Sequence, residues 1–231
     1  MTNSLDQQFV LMQLADSFFP SGSYTLSHGL ESLVQSERVQ SAEDVETFIR
    51  LLLCNKVGGT DLVAIAHAYT ASQHNNITEL ANIDAQLFAQ TPIEKTRIAQ
   101  RQSGRALLMV AGKTWPHHQL EALGEETSKD AFNCLHPIIF SSVAQIAGLE
   151  QRSTLAAFVH GFVTGILGAA IRLGAIGHLQ AQQVRRAVAA DMSNVCEEAI
   201  AIPLHEMWSC TPMIDLAQMR QAKLSRRLFA S

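Results

Sequence analysis

Leu155 to Ile171 reads LAAFVHGFVTGILGAAI, and what surrounds this segment decides the fold. Its seventeen residues fall short of the ~20 that cross a bilayer as a helix. The segment also contains His160 and runs into Arg172. The reading is therefore a buried central helix of a soluble protein rather than a membrane span. Gly161, Gly165 and Gly168, followed by Ala169 and Ala170, put small residues on one side of it. Each glycine in a helix interior costs about 1 kcal/mol against alanine. Close approach by a neighbouring helix is the expected compensation, either inside the fold or across a dimer. Gly165→Leu is then expected to overpack the helix and cost about 1–3 kcal/mol or more.

The flanking sequence is helical as well. No sustained alternation of apolar and polar residues bounded by turn pairs, the mark of strands, occurs. Helix starts are written plainly. Ser41-Ala42-Glu43-Asp44 offers a serine cap and an acidic first turn, and Asn76-Ile77-Thr78-Glu79 a second cap. Thr91-Pro92-Ile93-Glu94 reads as a third, with Thr91 as N-cap and Pro92 at the first helical position. Breaks are expected at Pro20-Ser21-Gly22-Ser23, at Val57-Gly58-Gly59-Thr60 and at Trp115-Pro116. The sum is one all-α domain over residues 1–231, a bundle of about nine or ten helices of the usual ~11–12 residues or longer. Its last stretch, 216–231, is a basic tail.

Composition agrees with a packed domain. The 231 residues are 47% hydrophobic and 16% charged, with 17 Lys and Arg against 21 Asp and Glu for a formal charge of −4. Such a chain can bury roughly 70–75% of its unfolded surface. Disorder as the main state is excluded. Four cysteines (Cys54, Cys134, Cys196, Cys210) without any Cys-x-x-Cys exclude a disulfide scaffold. The charge gives no drive toward nucleic acid or an anionic membrane. The start, Met1-Thr2-Asn3-Ser4-Leu5-Asp6, lacks the pattern of a signal peptide, so a cytoplasmic location is expected.

No catalytic or metal-ligating set emerges. Gly112-Lys113-Thr114 imitates the end of a phosphate-binding loop, but Leu107 stands where the motif needs glycine, so Gly112 reads as a helix end. Ser21, Ser23 and Ser27 lie near His28 without a nucleophile elbow. Nine histidines invite a metal site, yet none form a ligand pair at one helical turn. His67 and His74 are seven apart, and the adjacent His117 and His118 are expected to diverge. Passing contact of one or two with nickel stays open. An enzyme site scattered over Glu197, Glu198 and His205 is the remaining catalytic reading. Two features suit a partner instead. Arg97, Arg101 and Arg105 form a stripe at i, i+4 and i+8, and solvation, internal pairing and partner contact all remain open for it. The sixteen residues after Asp215 carry Arg220, Lys223, Arg226 and Arg227 and no acid, interleaved with Leu216, Met219, Leu224, Leu228 and Phe229. That pattern suits docking to an acidic partner.

Four segments carry a family resemblance. Leu11-Met12-Gln13-Leu14-Ala15-Asp16-Ser17-Phe18-Phe19-Pro20-Ser21-Gly22-Ser23-Tyr24, running into Ser27-His28-Gly29-Leu30-Glu31, resembles the opening of the UreF urease accessory proteins. Thr96-Arg97 through Gly104-Arg105 to Leu107-Leu108 is similar to a second stretch. Ala169-Ala170-Ile171-Arg172-Leu173-Gly174 is similar to a third, and Asp215-Leu216-Ala217-Gln218-Met219 through Arg226-Arg227-Leu228-Phe229-Ala230-Ser231 to the closing stretch. Gln221 departs from the histidine expected in that tail.

The resemblance implies an all-α, usually dimeric, non-enzymatic maturation protein. It would bridge UreD (also called UreH) and the GTPase UreG and assist nickel insertion into urease apoprotein. No cofactor would be stably bound, and nickel would be handled by the complex. The partner-binding residues so implied are Arg97, Arg101, Arg105, Leu224, Arg226, Arg227, Leu228, Phe229 and Ser231, with no catalytic residue and no metal ligand. An arginine of the stripe acting on the GTPase is a further expectation. The alternative is a general all-α adaptor unrelated to nickel.

Overall fold

The computed structural model describes residues 4–16, 19, 26–221 and 228–229. Among these residues there are twelve α-helices and no strand, a count somewhat above nine or ten. They are α1 (Ser4–Ala15), α2 (Leu30–Gln35), α3 (Ala42–Leu52), α4 (Asp61–Gln73), α5 (Ile77–Gln90), α6 (Glu94–Thr114), α7 (His118–Ser128), α8 (His136–Ile146), α9 (Gln151–Arg172), α10 (His178–Ala187), α11 (Ala189–Ala201) and α12 (Pro212–Gln221). The extra elements come from short helices split at turns, such as α2 and α10.

The all-α domain is built around α4 and α8. On α4 the buried residues run Asp61 to Ala66, then Ala68, Tyr69, Ala71 and Ser72, so the helix is covered on every side. α8 is buried from Pro137 through Ala144 and lies against α4, with α6 on its other flank. Polar side chains in this core are satisfied by reaching across helices. Ser141 Oγ donates to the Ile65 carbonyl at 2.8 Å, and Tyr69 OH donates to the Leu149 carbonyl at 2.8 Å.

The segment that opened the sequence reading is α9. The helix runs 22 residues, from Gln151 to Arg172, so length alone would let it cross a bilayer, and half of its most apolar window is buried within the fold. Its buried face, including Leu155, Val159, Val163 and Ile166, meets α1, α8 and α11. The glycine side behaves differently from the packing expectation. A Cβ at Gly161, Gly165 or Gly168 would find nothing within 4 Å. Among the described residues nothing closes tightly on that face, so a Cβ at Gly165 has space.

Two cap readings hold and two change. Ser41 and Asp44 form a capping box, and Asn76 Oδ1 accepts from the Glu79 N–H at 3.0 Å. Thr91 instead closes α5, its hydroxyl donating to the Leu87 carbonyl at 2.9 Å, while Ile93 is the N-cap of α6. The cause is Pro92, which drives the residue before it out of the helical region. Gly112 lies inside the last turn of α6, which continues to Thr114 and stops at Trp115 before Pro116. Between α3 and α4 the chain makes a π-helical turn, Leu53–Val57, before Gly58 and Gly59. Gly59 sits under the Trp208 carbonyl oxygen, 2.6 Å from where a Cβ would be.

Candidate functional site

The arginine stripe of α6 splits in the structure. Arg97 donates to the Thr91 carbonyl at 3.2 Å and lies over the Phe88 ring, 5.0 Å from its centroid. Arg101 Nε donates to the Asn133 carbonyl at 3.2 Å, and its Nη2 is 3.8 Å from the exposed Asp130. Arg105 is exposed and has no partner among the described residues. Two of the three guanidiniums are thus bound internally, and one faces solvent.

What holds Arg101 is a loop fixed from inside. Asp84 is fully buried and accepts from the N–H groups of Asn133 at 2.7 Å and Leu135 at 2.9 Å. Burial raises its pKa against the opposing pull of those donors. The loop then crosses α6 at Gly104, where any Cβ would overlap the Cys134 carbonyl oxygen. Gly104 belongs to the second of the four resembling segments.

All four segments converge. Gly29, with φ +88°, lets α12 pass close by: a Cβ there would lie 3.2 Å from the Ile214 carbonyl oxygen and 3.1 Å from Gln218. Gln218 in turn accepts from the Thr96 hydroxyl of α6 at 2.9 Å. Glu31, fully buried on α2, accepts the Leu228 N–H at 2.6 Å. Phe229 is 5% exposed, with the Arg172 guanidinium 4.4 Å above its ring. The end of the chain is therefore clamped between α2 and the C-terminus of α9. Leu228 projects outward, 70% exposed. Leu224, Arg226, Arg227 and Ser231 lie outside the described residues. Glu31, Thr96 and Arg172 were not among the sequence-derived site residues, although each lies in a quoted segment. Nothing local in the sequence marks them, because their partners are about 60 to 200 positions away.

Beside this junction lies an interior chamber of about 100 Å³. Phe140, Phe158, Phe162, Gly161 and Gly165 form much of its apolar wall, and His28, Lys56, Asp61, Gln100 and His136 its polar side. Gln100 Nε2 donates to Asp61 at 3.2 Å, and neither Gln100 Oε1 nor His136 Nε2 has a partner among the described residues. Burial pushes His28 down to about 3, with help from the Lys56 charge, and His136 down to about 4. Burial also raises the Asp61 carboxyl. Both imidazoles are neutral at pH 7.

The remaining candidates are dispersed. His67 Nε2 lies 3.0 Å from the Ile202 carbonyl and His74 Nδ1 2.8 Å from that of Thr70. His117 and His118 do not diverge: His117 is the N-cap of α7 in extended backbone, which brings the two rings to 4.3 Å between centroids. Glu197 pairs with Arg152 at the surface, and His205 is 80% exposed beside Glu206. Among the described residues no three His, Cys, Asp or Glu side chains are placed to share a metal ion.

With this geometry in hand, relatives are informative. The UreF family model matches residues 39–189. The urease accessory protein UreF of Trichodesmium erythraeum is 49% identical over the full length of both chains. That of Agrobacterium fabrum is 31% identical, covering 96% of this chain and 95% of its own. That of Xanthobacter autotrophicus is 30% identical, covering 92% and 86%. The family match spans more than half of the chain and these relatives align almost end to end, so the chain belongs to the UreF family.

Proposed function

We propose that this protein is a non-enzymatic maturation factor for urease, acting in the cytoplasm. It bridges UreD (UreH) and the GTPase UreG and assists nickel insertion into the urease apoprotein. Nickel is the cargo of the assembled complex and not a resident cofactor of this chain. The observation that carries the reading is the full-length, 49% identity to a urease accessory protein UreF. The convergence of the four resembling segments on one junction supports it, because it gives them a common structural task. In this reading the outward Leu228 and the neighbouring Leu224, Arg226, Arg227 and Ser231 contact a partner, with Phe229 anchoring them from inside. Arg105 makes the external contact of the α6 stripe, and Arg97 and Arg101 hold the helix and loop in place. A homodimer belongs to the same reading, as the family resemblance implies.

The experiment replaces the UreF gene of a urease operon with this one. UreD, UreG and the urease subunits come from the same source as this chain, nickel is supplied, and ammonia release is measured. Restored urease activity is expected. No activity from soluble, helical protein would turn the reading toward an adaptor unrelated to nickel.

A further inference from the structure

We draw no further inference here: the strongest candidate, the polar chamber enclosed by α4, α6, α8 and α9, belongs to the site already described, and its unpartnered Gln100 Oε1 and His136 Nε2 select no one ligand over another.

Discussion

Gly104 and Gly165 sit in helices of the same fold and answer to different forces. At Gly104 the Cys134 carbonyl occupies the space of a side chain. Gly104→Ala must push the 131–135 loop off α6, and a loss of about 1–3 kcal/mol or more is expected in chemical denaturation. At Gly165 the space is empty. Gly165→Ala should then gain up to about 1 kcal/mol of helix propensity in the isolated chain, and equal or lower stability would show that something packs there. Sequence spacing selected the glycines of α9 for tight packing, but the contact lies at Gly104. A glycine pattern reveals that Cβ atoms are absent, not which neighbour required it. Residue chemistry also sets a pH dependence. The unfolded chain protonates His28 and His136 near 6.5, whereas the folded chain holds them neutral down to about 3 and about 4. Their contribution is complete above pH 6.5 and is lost as pH falls toward 4, at about 1.4 kcal/mol per pH unit for each histidine. Melting curves between pH 7 and 4 should fall less steeply for His136→Gln than for wild type. Parallel curves would contradict the assignment.

At the scale of elements, the helix starts were legible where one side chain does the work locally. Ser41 caps α3 and Asn76 caps α5. Ser41→Ala is expected to cost about 1 kcal/mol, read as a shift in the denaturation midpoint. Thr91 was misassigned because two signals compete over four residues, and the restriction before Pro92 wins. The tail was legible as a basic, apolar peptide but not as a clamped one. Its first residues belong to α12, and Phe229 returns to Arg172 and Glu31 through contacts that no local pattern encodes. Deleting Leu224 to Ser231 should leave the helical spectrum intact, since α12 lies before the cut, should lower the melting temperature by taking Phe229 out of the core and the Leu228 N–H from Glu31, and should weaken assembly with the partner proteins. Equal assembly by gel filtration of the mixed proteins would remove the tail from the proposed contact.

The whole molecule explains why fold and family were readable while the site was not. Helical periodicity and the apolar α9 point to one all-α domain, and α4, α8 and α9 together build its core. The surfaces a scaffold uses have no such periodicity. They arise where the fold leaves a position uncovered, as at Arg105 and Leu228, or pulls distant residues together, as at Glu31 and Leu228. The polar chamber is a product of the same assembly, since His28, Asp61, Gln100 and His136 come from four separate segments. The central claim, that this assembly serves urease maturation, is tested most directly by ammonia release from a nickel-supplied urease operon in which this chain is the only UreF. The account predicts restored urease activity with the wild type and reduced activity with the tail deletion at equal expression. An inactive urease alongside abundant, folded wild-type protein and its matched UreD and UreG would contradict it.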